Sequence, residues 1–223
     1  MPYLEIHTAA DFAMYRSPAF HEDDTDKLVA FMRANSFATL VSTSKGNPCA
    51  SHIPLVVEKA GDVVKLTGHL AKQNPQWQAF TTAESLAIFT GPHAYISPTL
   101  YEKRENVPTW NYMAVHAYGI PKIVRSHDSP QPMNQMIDDM IDTYEASYKS
   151  QWHGLSDSYQ ASMTRGIVGF EMTVIRLTGT FKLSQNRSRV DQQTVSDELL
   201  QSPDLNVRAI GIEMKKNLGR IEE

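Results

Sequence analysis

Apolar and polar residues alternate through much of the N-terminal half of the chain, and the period lengthens toward the C-terminus. Alternation over Phe37–Ser42, Pro48–Glu58, Val63–Gly68 and Leu86–Gly91 predicts strands. Turn chemistry separates the first three: Ser44-Lys45-Gly46-Asn47, then Ala60-Gly61-Asp62. Leu28, Phe31 and Met32 share a face of a helix predicted over Thr25–Asn35, with Asp24 as its cap. Asn74-Pro75 opens a short helix to Phe80, with Asn as N-cap and Pro at the first helical position. A long loop holding Pro92, Pro98 and Pro108 leads to a strand over Trp110–Gly119, and Pro121 must sit at an edge or bend.

Beyond Ser129-Pro130 the helical period takes over. Met133, Met136, Ile137, Met140, Ile141, Tyr144 and Tyr148 hold one stripe, which reads as packing onto a sheet. A weaker helix covers Asp157–Met163. Strands follow over Ile167–Ile175 and Thr178–Leu183, then helices over Asp191–Leu200 and, after Ser202-Pro203, to about Leu218. Residues 1–20 form a lead-in arm. Consecutive short strands with turn-length connections, and no strand–helix–strand alternation, predict a mainly β fold with peripheral helices, an antiparallel barrel. The expected organisation is one domain over residues 1–223, with an arm at 1–20 and a helical appendage at 184–223.

Composition narrows the function classes. The chain has 223 residues, 41% hydrophobic and 21% charged, and a net charge of -4. That charge argues against a dedicated nucleic-acid binder, and no helix-turn-helix pattern stands out. The lone Cys49 excludes an intramolecular disulfide and a cysteine-based zinc site, and its place in an alternating strand suggests packing. No basic-then-apolar leader and no membrane-length apolar run is visible, so a cytoplasmic protein is expected.

Four stretches could carry chemistry. Thr67–Trp77 places a strand end, Gly68, Lys72 and a helix start together. Backbone N–H groups and an ammonium there would attract an anion; the plain alternative is a strand-to-helix turn with a solvated lysine. Ser51-His52-Ile53 precedes Pro54, which cannot donate to a ladder, so a free edge or bulge is expected there. Tyr95–Pro98 and Val107–Tyr112 gather aromatic and polar side chains around a long loop, suited to a planar ligand or a dimer interface. Lys182–Arg189 joins three cations to hydrogen-bonding residues, fit for an anion or a solvated connection. No phosphate loop, nucleophile elbow, zinc spacing or paired-carboxylate motif appears, and no metal ligand set is assigned.

Taken together, F-A-T-L-V-S at 37–42, A-S-H-I-P-L at 50–55, G-H-L-A-K-Q-N-P-Q-W at 68–77, Y-I-S-P-T-L-Y at 95–101, V-P-T-W-N-Y at 107–112, G-I-V-G-F-E at 166–171 and K-L-S-Q-N-R-S at 182–188 resemble the PaiB family of FMN-binding negative transcriptional regulators. The resemblance runs from about Met14 to Leu218. It implies an antiparallel split β-barrel of FMN-binding type, akin to the pyridoxamine-phosphate oxidase group, and a homodimer with FMN between subunits. By that likeness Lys72 holds the phosphate, bordered by Thr67, Gly68 and His69. Ser51, His52 and Ile53 lie along the flavin ring. Tyr95, Ser97 and Trp110 approach from the partner or the rim, and Lys182, Ser184 and Gln185 close the site. A flavin-dependent oxidoreductase and a haem protein using a histidine such as His69 are the other functions this fold admits. DNA remains a conceivable partner that the net charge does not favour.

Overall fold

The computed structural model describes residue 14 and residues 17–80, 83–124 and 133–219. The expected arm over 1–20 falls largely outside these residues, as does the Ser129-Pro130 helix start. The strands are β1 (His21–Glu22), β2 (Phe37–Ser44), β3 (Asn47–Pro54), β4 (Val56–Ala60), β5 (Val63–Ala71), β6 (Ser85–Ile96), β7 (Thr109–Gly119), β8 (Lys122–Ile123) and β9 (Ile167–Lys182). The helices are α1 (Thr25–Ala34), α2 (Met133–Glu145), α3 (Lys149–His153), α4 (Asp157–Arg165), α5 (Arg189–Leu200) and α6 (Leu205–Gly219). Strand order is β3-β2-β6-β7-β9-β5-β4, with β1 and β8 each paired to β9. The fold is the expected mainly antiparallel sheet with several helices.

The chain divides into two compact units: a larger one over Asp24–Thr90 and Val115–Leu177, and a smaller one over Met1–Asp23, Gly91–Ala114 and Thr178–Glu223. In the larger unit, α1 is capped as its sequence predicts: the Asp24 carboxylate accepts from the N–H groups of Asp26 and Lys27. Lys45 and Gly46 both take positive φ, 51° and 80°, which closes the β2–β3 hairpin with the twist those strands need. Leu40, Leu66, Phe80, Phe89, Phe170 and Met172 are fully buried. Phe80 and Phe170 meet at 4.9 Å between ring centroids. In the smaller unit α5 and α6 pack closely: a Cβ on Gly211 would lie 3.1 Å from Leu199 Cβ.

Four expected boundaries move. The single strand expected over Pro48–Glu58 is two. Pro54 has no N–H to continue a ladder, and the chain changes partner at Leu55: β3 pairs with β2, and β4 pairs with β5. β5 runs past Gly68 to Ala71, because its pairing with β9 continues through His69↔Gly169 to Ala71↔Ile167. β6 continues through Pro92 to Ile96; its register with β2 covers only Leu86–Ile88, so the proline interrupts none of those pairs. The two strands expected over 167–183 are one, β9, which pairs with β5 through 167–173 and with β1 at Gly179 and Thr180.

Candidate functional site

In the larger unit the site is built from β3, β5 and the turn after β5. β3 ends the strand order, so one of its edges carries backbone groups unpaired within the described sheet. What fixes this edge is a glutamine. Gln76 is 3% exposed. Its side-chain N–H groups donate to the Leu40 carbonyl at 2.8 Å and Ser42 Oγ at 3.2 Å, and its oxygen accepts from the Ser51 hydroxyl at 2.6 Å. Asn74 donates to the same Ser51 hydroxyl at 2.8 Å while its own oxygen accepts from the Gln76 N–H at 3.0 Å. Ser42 and Ser85 hydroxyls close the network at 2.8 Å. The Ser51 side chain therefore anchors β3 from behind, leaving its backbone as the group on offer.

The turn itself differs from expectation. Pro75–Ala79 is one short 3-10 turn, and the Asn74 side chain already satisfies its Gln76 N–H. A turn of that length has no aligned stack of peptide dipoles, so the anion attraction rests on Lys72. The Lys72 N–H donates to Gly166 O at 2.8 Å, and its carbonyl accepts from the Trp77 indole at 3.0 Å. The backbone is thus pinned on both sides, while the exposed ammonium has no ion pair among the described residues.

The neighbours of Lys72 are varied. Thr67 is 1% exposed and its hydroxyl has no partner. That hydroxyl is covered by the protein itself, so it is not a group open to a ligand. Gly68 lies inside β5 rather than at a strand end. A Cβ there would stand 2.7 Å from Leu55 Cδ2 and 3.3 Å from the Pro54 carbonyl, so glycine permits close packing of the strands. His69 turns toward α2, with Nδ1 3.4 Å from Met140 Sδ, and burial holds its pKa below the ordinary imidazole range. It borders an apolar groove of about 270 Å³ with Met140, Ile141, Tyr144 and Tyr148. His52 is exposed, bonded through Nδ1 to Thr39 at 2.9 Å and stacked on Phe37, whereas Ile53 is buried. Cys49 is half-exposed, its thiol donating to the Ser42 carbonyl at 3.4 Å.

The remaining candidates belong to the smaller unit. Tyr95 and Trp110 are 51% and 54% exposed and meet edge-to-face at 5.9 Å, with His93 6.0 Å from the indole. Ser97 caps its own turn, bonding to Thr99. Lys182 donates to Thr109 Oγ1 at 2.6 Å; burial, then the Arg187 charge, lowers its pKa. The Gln185 side chain is consumed locally, donating to Phe181 O and accepting from Leu183 N. Ser184 is buried at φ 64° and accepts from Asn111 at 2.9 Å.

Sequence reasoning overlooked Gln76. Its signal was a polar residue directly after an Asn-Pro cap.

Residues 14–176 match the family model described as "Putative FMN-binding domain". The chain is 37% identical over 208 residues to the protease synthase and sporulation protein PAI 2 of Bacillus subtilis, covering 92% of this chain and 98% of that protein. The chain belongs to the PaiB family. This PaiB-family chain is also 34% identical over 183 residues to an uncharacterized Emericella nidulans protein, covering 66% of this chain and 72% of that one. Among solved structures, the flavocytochrome Anf3 of Azotobacter vinelandii superposes with a TM-score of 0.56 at 12% identity, covering 73% of this chain and 69% of that one. A FAD and haem binding protein of Mycobacterium smegmatis gives 0.54 at 14%, covering 73% of each. These likenesses place the PaiB-family fold among split barrels. Among the described residues, a backbone edge on β3 and an ammonium at Lys72 without an ion pair are of the kind the family's cofactor requires. No described helix is long and apolar enough to cross a membrane.

Proposed function

We propose that FMN binds the larger unit with its phosphate at Lys72 and the polar edge of its ring along β3 at Ser51–Ile53. The observation that supports this reading is the anchoring of β3. Gln76 and Asn74 hold the Ser51 hydroxyl from within, so a strand at the end of the sheet presents a rigid row of backbone donors and acceptors. The flavin, when bound, supplies hydride and electron transfer; the protein's part is to bind and orient it.

The proposed setting is a cytoplasmic homodimer, with the exposed Tyr95–Trp110 pair as subunit-contact surface, acting in gene regulation of the kind the resemblance to PaiB regulators implies. With a net charge of -4, regulation through flavin state is favoured over a broad electrostatic contact with DNA.

Flavin absorbance tests the cofactor reading directly. Apoprotein titrated with FMN should show a saturable, red-shifted flavin band. Lys72→Ala should weaken binding by about 1.5–3 kcal/mol, the range for a charge-assisted hydrogen bond. Unchanged affinity in that variant would move the phosphate elsewhere. NADPH or NADH oxidation by the loaded protein would favour an oxidoreductase, and an intense Soret band on haem addition would favour a haem protein.

A further inference from the structure

Neither Lys72 nor any β3 residue lines the apolar groove beside α2. The groove lies wholly within the larger unit and holds about 270 Å³. Its walls are His69 on β5, Ile137, Met140, Ile141 and Tyr144 on α2, and Tyr148 on the 3-10 turn that follows. Met136 and Met140 carry the buried side of α2, whereas Ile137 and Ile141 are half-buried and Tyr144 is 46% exposed. An apolar stripe left partly in water beside a cavity still gains free energy when it is covered. The walls are fixed before any ligand arrives. The Tyr144 hydroxyl donates to the Leu55 carbonyl at 3.0 Å, which holds that ring in place, and His69 Nδ1 lies 3.4 Å from Met140 Sδ.

Charge then selects among apolar ligands. α2 carries Asp138, Asp139, Asp142 and Glu145 and no lysine or arginine. The cations nearby are taken: Lys149 pairs with Asp142, His153 meets Asp138 at 3.1 Å, and Lys65 on β5 meets Glu58 at 2.7 Å. Glu145, itself a lining residue, is exposed and has no ion pair among the described residues. Burial holds the His69 pKa below the ordinary imidazole range, so at neutral pH that ring brings no positive charge to the groove. The walls are thus aliphatic and aromatic while the surrounding charge is negative. A carboxylate or phosphate would be repelled there, and a neutral molecule would leave the Glu145 carboxylate unanswered. A cation carried on an apolar body satisfies both, and Tyr144 and Tyr148 add ring faces that attract it.

We propose that this groove binds a small arylalkyl ammonium ion, with its ring against Met140, Ile141 and the two tyrosines and its charge toward Glu145. The site is separate from the flavin site and stands whether or not FMN phosphate lies at Lys72.

The test is isothermal titration calorimetry on the full-length chain with FMN added, at neutral pH and fixed ionic strength. Three probes share one ring system: 1-naphthylmethylamine, which is cationic, 1-naphthylmethanol, which is neutral, and 1-naphthoate, which is anionic. The amine should bind saturably, about tenfold tighter than the alcohol, and the naphthoate should not saturate. Glu145→Gln, at an exposed position, should lower the amine's affinity about threefold and leave the alcohol's unchanged. Ile141→Trp should fill the groove and lower the affinity for amine and alcohol alike at least about tenfold. Thermal midpoint and flavin absorbance show that each variant is folded and loaded; where Ile141→Trp lowers the midpoint sharply, Glu145→Gln decides. No saturable amine binding, an alcohol or naphthoate bound as tightly as the amine, or an amine affinity unchanged in folded Ile141→Trp overturns the site. An amine preference undiminished in Glu145→Gln overturns the placement of the charge. Release of FMN by the amine makes the groove part of the flavin site and overturns the proposal. Amine binding retained in Lys72→Ala while flavin binding weakens supports both this site and the Lys72 reading.

Discussion

Replacing Gln76 with leucine should loosen the strand on which the proposed flavin site depends. The side chain is 3% exposed and makes three hydrogen bonds: to Leu40 O, to Ser42 Oγ and from the Ser51 hydroxyl. Leucine fills nearly the same volume and makes none. Ser42 keeps Ser85, and Ser51 still accepts from Asn74. Two groups lose a partner: the Leu40 carbonyl its amide donor, and the Ser51 hydroxyl its acceptor. At about 1–3 kcal/mol for each buried group left unpaired, the loss is about 2–6 kcal/mol. Extra apolar burial returns about 1 kcal/mol, leaving a net cost of about 1–5 kcal/mol. For a chain of this size that lowers Tm by about 3–15 °C. Far-UV circular dichroism on heating and in urea measures it, with exposed Gln78→Leu as the control expected within about 0.5 kcal/mol of wild type. FMN affinity should fall in Gln76→Leu and hold in Gln78→Leu, because only the first removes one of the two bonds that hold the Ser51 side chain. A Gln76→Leu midpoint equal to wild type, with an unchanged denaturant slope, would refute the claim that this amide holds β3.

Two glycine substitutions should separate backbone from side-chain crowding. A Cβ on Gly119 would stand 2.4 Å from the Thr173 carbonyl and 2.7 Å from Met172 Cγ, so Gly119→Ala should cost about 1–3 kcal/mol by urea unfolding. A Cβ on Gly169 meets the movable ends of Met136 and Met133, at 2.7 Å from Met136 Sδ and 3.0 Å from Met133 Cε, so Gly169→Ala should cost less; the reverse ranking would contradict the packing described. Burial holds His69 and His116 below the ordinary imidazole range, so the unfolded chain binds more protons below about pH 6.5. Stability should therefore decline from about pH 7.5 to pH 5.5. Urea midpoints should vary less with pH in the His69→Gln, His116→Gln double variant, and an undiminished slope would show that other groups carry the effect.

Local pattern carried the parts of this protein whose causes are local. Asp24 announces α1 because a carboxylate before an apolar helical stripe can bond only the N–H groups just ahead of it. Lys45-Gly46 closes a hairpin because its φ angles are set within the turn itself. The boundaries that moved depend on partners far along the chain. Pro54 marks a break inside Pro48–Glu58, but nothing there says that Val56 will face Thr67 while Ile53 faces Ala38, and that change of partner completes the division into two strands. Likewise β9 is continuous because β5 and β1 take up successive lengths of it.

The candidate sites follow the same division. Lys72 and Lys182 could be picked out by charge and neighbourhood, since a cation beside a turn is a local feature. What decides whether such a cation is poised or merely solvated is the far end of its hydrogen bonds. Ser51 meets Gln76 across 25 residues, Gln76 meets Leu40 across 36, and Lys182 meets Thr109 across 73. Those distances explain why Gln76 looks like an ordinary polar residue until its partners arrive. They also explain why the Asn74-Pro75 turn has a role other than drawing an anion with its backbone N–H groups. The asparagine and glutamine of that turn spend their polar groups on β3, so the N-P-Q segment serves the site by stiffening a strand rather than by attracting an anion.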